Sequence, residues 1–216
     1  MSCSQCVGIE FKFDRKKAAQ ELQGYRKDGP KETTRRLIDA VIAEGVSGMT
    51  VLDIGGGIGA IQHELLKEGA NSSINVEASQ AYIKAAEEEA KRQGHAQRIS
   101  HFHGDFVDLA GNIPECDVVT LDKVVCCYDD MRGLVEESSA RARRVYGLVY
   151  YRNHWYARIW TALDNFLNML RRHPFRQFMH PPEEVDQILR SKGFQKRFHH
   201  EVGVWLTVVY ERSNPR

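Results

Sequence analysis

A cluster of glycines directly follows a short apolar run near residue 50. The segment reads Val51-Leu-Asp-Ile-Gly-Gly-Gly-Ile-Gly-Ala60. A glycine loop between a strand and a helix lets the backbone approach a bound ligand closely. Gly55, Gly57 and Ala60 also satisfy the spacing G-x-G-x-x-A of dinucleotide-binding loops. The loop therefore indicates a nucleotide-like ligand and leaves its identity open.

Three acidic residues at the ends of successive predicted strands narrow the choice of ligand. Asp53 precedes the first glycine by two residues, and its carboxylate suits an ammonium group, which a nicotinamide cofactor lacks. Glu77 ends the second predicted strand, 22 residues beyond Gly55, where a carboxylate accepts hydrogen bonds from ribose hydroxyls. Asp105 follows the third predicted strand and can accept from an adenine amino group while Phe106 or Val107 packs against the ring. The ligand so described carries an amine, a ribose and an adenine.

These features resemble class I S-adenosylmethionine-dependent methyltransferases over residues 35–210. The glycine loop, Glu77, the Gly104-Asp105 pair and a final reversed hairpin match that family in order and spacing. The resemblance implies S-adenosylmethionine as cofactor, bound by Asp53, Gly55, Gly57, Gly59, Glu77, Ala78, Gly104, Asp105, Phe106, Asp122 and Tyr25. Gly56 departs from the pattern, because Cys, Ser, Thr or Ala is more usual there, and we expect the change to affect loop stiffness rather than chemistry.

The loop after the fourth predicted strand is expected beside the transferred methyl group. Its sequence, Leu121-Asp-Lys-Val-Val-Cys-Cys-Tyr128, is similar to the branch that contains magnesium-protoporphyrin O-methyltransferases. Methyl transfer from a sulfonium is an in-line displacement in which the enzyme mainly positions the reactants. A general base is needed only if the acceptor carries a proton of high pKa.

The candidate catalytic residues are therefore few. They are Asp122, His154 and Tyr128, with His101 and His103 as further possible bases that are more typical of hydrogen-bonded packing. Cys126 and Cys127 are expected to be wall residues, because adjacent side chains on a strand point to opposite faces and a nucleophilic thiol needs a base or a low pKa.

An alternation of short apolar strands and helices positions these residues. Strands are predicted at 49–54, 73–76, 98–103, 117–121 and 145–151, with helices between them, one of them capped by Ser79 and another over 131–143. Helices are also predicted before the first strand, one over 15–25 and one capped by Thr33 or Thr34. Two later runs, 194–200 and 202–210, form a hairpin. The pattern predicts an α/β fold, a doubly wound Rossmann-like mixed sheet with helices on both faces and an antiparallel C-terminal hairpin.

The chain is expected to be one domain over residues 1–216 with four parts. Residues 1–48 form an N-terminal helical lid, 49–151 the cofactor-binding half, 152–180 a helical insert, and 181–216 a helix and the hairpin. The insert holds a long amphipathic helix over 154–172 and contributes Arg152, His154, Trp155, Tyr156 and His180 to an acceptor pocket. A dimer surface or ordinary core cover are the alternatives for its helix.

Composition limits the possible partners. Thirty Lys and Arg residues against 29 Asp and Glu residues give a net charge of +1, so nucleic acid is not expected as a partner. The basic clusters at 141–144, 171–173 and 192–200 are expected to be solvated helix faces. No stretch approaches the roughly 20 apolar residues of a spanning helix, and the first residues lack the features of a signal peptide. A cytoplasmic protein without a membrane partner is predicted.

Cysteine usage does not indicate a metal site. The five cysteines include a Cys3-x-x-Cys6 pair, but no second such pair completes a zinc site. We expect structural or incidental thiols and no metal.

The sequence thus predicts a methyltransferase that acts on a small-molecule acceptor, most simply at oxygen, as a monomer or homodimer. Two alternatives stay open: a catalytically silent S-adenosylmethionine-binding regulatory protein, and an RNA methyltransferase. The N-P-P-Y type signature of amino-methylating nucleic-acid enzymes is absent.

Overall fold

The computed structural model describes residues 4–213, and the side chains of residues 7–213. Seven strands form one sheet: β1 (Thr50–Ile54), β2 (Ser72–Glu77), β3 (Ile99–His103), β4 (Cys116–Asp122), β5 (Ala142–Tyr151), β6 (Phe194–Val202) and β7 (Trp205–Arg212). The α-helices are α1 (Ser4–Lys12), α2 (Arg15–Asp28), α3 (Glu32–Ala43), α4 (Ala60–Lys67), α5 (Gln80–Arg92), α6 (Phe106–Leu109), α7 (Met131–Ala140), α8 (Trp155–Leu170) and α9 (Pro182–Ser191).

The order of the strands in the sheet is β3-β2-β1-β4-β5-β7-β6. The first five strands run parallel, and β7 pairs antiparallel with both β5 and β6. The predicted mixed sheet with a reversed C-terminal hairpin is therefore confirmed. Because β1 lies between β2 and β4, the chain reverses its direction of winding there, and ligands of such sheets bind at that carboxyl edge.

Helices cover both faces of the sheet, as predicted. Neighbouring strand residues alternate between two apolar cores, so Val51 packs on one side and Leu52 on the other. The Val51 side is covered by α3 and α4 through residues such as Leu37 and Leu65. The Leu52 side is covered by α7 and α9, for example through Leu134.

Several predicted details are corrected by the structure. Thr33 and Thr34 lie inside α3, which starts after Lys31 without a side-chain cap, so the predicted cap is wrong. Helix α7 ends at Ala140 with Arg141 as its C-cap, and Arg143 and Arg144 lie in β5 and pair with Glu115 and Glu211 instead of forming a solvated helix face. The hairpin turns at Gly203, so its second strand starts at 205 rather than 202. Ser79 does cap α5, as predicted.

Helix α8 does not cover the core. It buries only Ala157, Thr161 and Asn168, while its large apolar side chains face solvent, with Trp155 and Trp160 about 70% exposed. The core-cover alternative for this helix is therefore wrong. Within residues 4–213, no helix is long and apolar enough to cross a membrane.

Candidate functional site

A cavity of about 900 Å³ opens at the carboxyl edge of β1, β2 and β4, beneath the first three helices. It is lined by residues from the glycine loop, from the strand ends and from α1 to α3. Its size is near the upper end of the roughly 300–1,000 Å³ typical of small-molecule sites. The cavity brings together most of the residues selected from the sequence.

The glycine loop is fixed to the end of β2 through Glu77. The Gly57 amide donates to Glu77 Oε2 at 3.0 Å, and the Ser79 amide donates to Oε1 at 2.8 Å. The carboxylate is only 8% exposed, and burial raises its pKa while these amides oppose the rise. Gly55 and Gly57 both have positive φ, which favours glycine. Glu77 therefore shapes the loop as well as facing the cavity.

Asp53 lies at the base of this loop and is 1% exposed. Thr120 Oγ1 donates to its Oδ1 at 2.7 Å, and Gln62 Nε2 donates to Oδ2 at 3.1 Å. Burial raises the pKa of Asp53 to about 7 despite these two hydrogen bonds. The carboxyl group is thus poised between its charged and neutral forms near neutral pH, and a cationic group beside it would favour the charged form.

The structure gives a packing reason for Gly56. A Cβ at this position would lie 2.4 Å from Gln62 Nε2, 2.5 Å from Asn75 Oδ1 and 2.7 Å from Asp53 Oδ2. The glycine therefore makes room for the polar groups that surround Asp53, whereas the sequence had suggested only an effect on loop stiffness.

We expect Gly56→Ala to destabilise the protein by about 1–3 kcal/mol, because the added methyl overpacks this polar cluster. For a domain of this size, that corresponds to a melting temperature lower by about 2–4 °C per kcal/mol, measured by calorimetry. Gly111→Ala is the matched control, since nothing lies within 4 Å of a Cβ there. Equal melting temperatures for the two variants would contradict the packing argument.

Asp105 and its neighbours form another part of the cavity wall. Asp105 caps α6 by accepting from the Val107 amide at 2.9 Å, and the Tyr128 hydroxyl donates to the same carboxylate at 2.6 Å. Phe106 is buried beside it, and Gly104 adopts a positive φ. Tyr128, expected from sequence as a catalytic residue, thus joins Asp105, the predicted adenine partner.

Asp122 lies at the end of β4 and lines the cavity. The Thr34 hydroxyl donates to its Oδ2 at 2.5 Å, and the Lys123 ammonium lies 2.9 Å from Oδ1. Lys123 adopts a positive φ of 63°, which is uncommon for a residue with a side chain. Helix α3 therefore reaches the site through Thr34, a contact between residues far apart in sequence.

Other candidates lie elsewhere. His154 does not line this cavity: it contacts Arg152, stacks on Tyr156 and borders a second, smaller cavity. Gly59 caps α4 and lies outside the cavity wall. His101 and His103 are also outside the wall, and bond to Asn75 and to the Ala78 carbonyl, respectively. Ala78 and Tyr25 do line the cavity, and the Tyr25 hydroxyl donates to Glu64.

Two parts of the cavity wall, the far end around Tyr151, Gln177 and Trp205 next to Lys123 and the part formed by the start of α2, contain residues that the sequence did not identify. They are Phe13, Lys17, Tyr151, Phe175, Gln177 and Trp205. Phe175 and Gln177 belong to the 152–180 insert, whereas Trp155 is exposed and lies outside the wall, so the insert contributes through the segment after α8. No local sequence pattern identifies these wall residues, because they come from four separate parts of the chain.

Cys126 and Cys127 also line the cavity, but their geometry differs from the expectation. They lie in a 3-10 turn, and both thiols approach the Lys123 carbonyl, at 3.2 and 3.5 Å, instead of pointing to opposite faces. Cys3 lies outside the described residues, as does the side chain of Cys6. In the described part of the chain, no group of three or more His, Cys, Asp or Glu could hold a metal ion.

Comparison with known proteins identifies the family. The sequence-family model described as the O-methyltransferase domain matches residues 4–138 of this chain. No curated protein matches the sequence significantly. Among solved structures, magnesium protoporphyrin IX methyltransferase from Synechocystis PCC 6803, with bound S-adenosylhomocysteine, superposes with a TM-score of 0.73 at 16% identity, covering 97% of this chain and 100% of that chain.

Two further structures share the fold. An O-methyltransferase family protein from Burkholderia thailandensis has a TM-score of 0.69 at 17% identity over 94% of this chain and 61% of that one. A putative Haloferax volcanii methyltransferase, solved with the Trm112 activator, has a TM-score of 0.72 at 15% identity over 96% and 99%. The acids and glycine loop around the cavity fit the chemistry of the same cofactor. The chain belongs to the O-methyltransferase domain family and is an S-adenosylmethionine-dependent methyltransferase.

Proposed function

We propose that this enzyme methylates an oxygen of a small organic molecule bound at the far end of the cavity. The observation that carries the proposal is the aromatic wall next to Asp122 and Lys123, where Trp205 stacks on Tyr151 with ring centroids 4.6 Å apart and the Lys123 ammonium lies 5.4 Å from the centroid of the Trp205 ring. Concave aromatic walls with a few polar groups suit organic ligands. A cytoplasmic location and a monomeric or homodimeric state are part of the same proposal.

The proposal divides the cavity between cofactor and acceptor. Asp53 and the backbone of Gly55 and Gly57 bind the methionine part of S-adenosylmethionine, Glu77 the ribose, and Asp105 the adenine. Tyr128 positions Asp105 through its hydroxyl. His154 and Gly59 have no direct role in this arrangement, because neither lines the cavity.

The cofactor supplies an electrophilic methyl group when bound, and the protein positions the acceptor relative to that group. Asp122 is the carboxylate nearest the acceptor end, fixed by Thr34 and partly neutralised by Lys123. It can orient an acceptor hydroxyl and accept its proton if the acceptor is a phenol or an alcohol. A carboxylate acceptor needs no such base.

Lys17 of α2 adds a positive charge to the cavity wall beside Phe13. Its ammonium lies 4.2 Å from the centroid of the Phe13 ring, and no carboxylate of residues 7–213 forms a salt bridge with it. Burial lowers the pKa of Lys17, the Glu21 carboxylate opposes this shift, and the ammonium groups of Lys12 and Lys31 add to it. Because the net effect disfavours the charged form, an anionic ligand group would stabilise the ammonium. We assign Lys17 to a negatively charged or strongly polar oxygen of the acceptor.

We expect Lys17→Met to raise the KM for the acceptor about tenfold, as the loss of one charge-assisted hydrogen bond would. The dissociation constant of S-adenosylhomocysteine, measured by calorimetry, should stay the same. Lys16→Met is the control, because Lys16 is exposed on the same helix. A matching loss of S-adenosylhomocysteine affinity would instead assign Lys17 to the methionine carboxylate of the cofactor.

The activity itself is tested by time-dependent formation of S-adenosylhomocysteine. The purified chain is incubated with S-adenosylmethionine and separate sets of phenols, carboxylic acids and total RNA. Turnover with a phenol or a carboxylic acid supports the proposal. Turnover with RNA alone supports an RNA methyltransferase. Cofactor binding without turnover on any set indicates a regulatory protein.

A further inference from the structure

Helix α8 exposes its apolar face, whereas an ordinary surface helix buries that face. Trp155, Ile159, Leu163, Phe166 and Leu170 recur every three or four residues, so they share one face, and that face is exposed. A helix that packs on its own protein normally directs such a stripe inward.

The opposite, polar face of α8 makes the contacts with the rest of the protein. Asn165 donates to the Gln177 carbonyl at 2.7 Å and accepts from the Gln177 amide at 2.9 Å. The Gln177 side chain donates to Asp164 at 2.7 Å, while Thr161 and Asn168 are buried. Hydrogen bonds therefore fix the orientation of the helix, and the exposed apolar face is its stable arrangement.

Positive charge borders this apolar face. Arg158, Arg171 and Arg172 are exposed, and the only acidic residue between 155 and 172 is Asp164, which is turned inward and hydrogen-bonded. Two tryptophans and a phenylalanine among the apolar residues are typical of helices that lie in a membrane interface.

The size and charge of the face disfavour a second copy of the chain. Sixteen residues span about 24 Å, so a strip about 10 Å wide offers a few hundred Å², below the roughly 800 Å² per partner that stable dimers bury. Pairing two copies would also bring the same arginines together without opposing carboxylates on this helix. An anionic lipid surface complements both the apolar strip and its basic border.

We propose that the outward face of α8 binds an anionic lipid surface, with the helix lying parallel to the membrane plane. Phe11 of α1 extends this face, because it is exposed and its ring lies 4.6 Å from that of His173, just beyond α8. The sequence predicted no membrane partner because it contains no spanning segment, and a helix that lies on the surface needs none. This binding is independent of the proposed acceptor.

The test measures co-sedimentation of the full chain with vesicles. One set contains phosphatidylcholine alone and the other includes about a third phosphatidylserine, whose negative surface attracts basic side chains by about 1 kcal/mol each. We expect binding to the anionic vesicles only, with a blue shift of tryptophan fluorescence. The triple variant Trp155→Ser/Trp160→Ser/Phe166→Ser should bind at least tenfold more weakly, while its affinity for S-adenosylhomocysteine stays the same.

A pair of charge variants distinguishes attraction by the arginines of α8 from attraction by the net charge of the whole protein. Arg158→Glu/Arg171→Glu should lose binding, whereas Lys84→Glu/Lys91→Glu, with the same charge change on exposed residues of α5, should retain it. Equal losses in both variants would overturn the proposal. Failure of the unchanged chain to bind either vesicle type would also overturn the proposal. A dimer in sedimentation equilibrium that the triple serine variant abolishes would overturn it too, because the apolar face of α8 would then bind a second copy of the chain.

Discussion

Glu77→Ala should lower the affinity for S-adenosylmethionine about 100-fold. The carboxylate holds the Gly57 and Ser79 amides and, in the proposed binding mode, the ribose hydroxyls as well. Hydrogen bonds to a charged group contribute about 1.5–3 kcal/mol each, and 2.7 kcal/mol corresponds to a factor of about 100. Isothermal calorimetry with S-adenosylmethionine measures the change directly.

Two further variants make this result interpretable. Glu87→Ala removes an exposed carboxylate of α5 and should leave binding unchanged. Glu77→Gln retains one acceptor oxygen and should lose less affinity than Glu77→Ala. If Glu77→Ala remains folded by circular dichroism and binds within twofold of the unchanged chain, Glu77 has no part in the cofactor site.

The affinity for S-adenosylmethionine should rise about sixfold from about pH 6 to about pH 7.5. Burial raises the pKa of Asp53 to about 7, so the ionised fraction of this carboxyl group increases over that interval. Only the ionised form attracts the ammonium group of the cofactor, and binding therefore releases a proton from Asp53. The net rise is smaller than the roughly eightfold gain in ionised Asp53, because an α-amino group with a pKa of about 7.7–8.0 is about a third deprotonated at pH 7.5.

Asp53→Asn is the variant that isolates this effect. The amide keeps nearly the same shape but cannot ionise, so its affinity should be low and nearly independent of pH between the same limits. Calorimetry in buffers of different ionisation enthalpy would show proton release for the unchanged chain and none for the variant. A pH dependence shared by both forms would place the titrating group elsewhere.

The parts of the site that follow from short-range patterns were predictable. Asp53 and Glu77 lie at the ends of short strands, Asp105 follows the next strand, and parallel strands direct their carboxyl ends to one edge. All three line the same cavity. The sheet, with its reversed hairpin, was predictable for the same reason, because alternating strands and helices leave few arrangements open.

Contacts between distant residues were not predictable. Thr34 reaches Asp122 across 88 positions, and nothing in either local sequence indicates the pair. His154 was selected for its residue type, but the path of the chain after β5 directs it to a different cavity. Periodicity showed that α8 is amphipathic, yet it could not show which face meets the protein, because here the buried face is the polar one.

The position of β7 has a consequence for synthesis of the protein. The proposed cofactor residues all precede β5 in the chain, whereas Trp205, which completes the acceptor wall, belongs to a strand inserted between β5 and β6. At usual translation speeds, Trp205 leaves the ribosome roughly ten seconds after Asp122. The residues proposed to hold the methyl donor are therefore synthesised before the residue that completes the wall for the methyl acceptor.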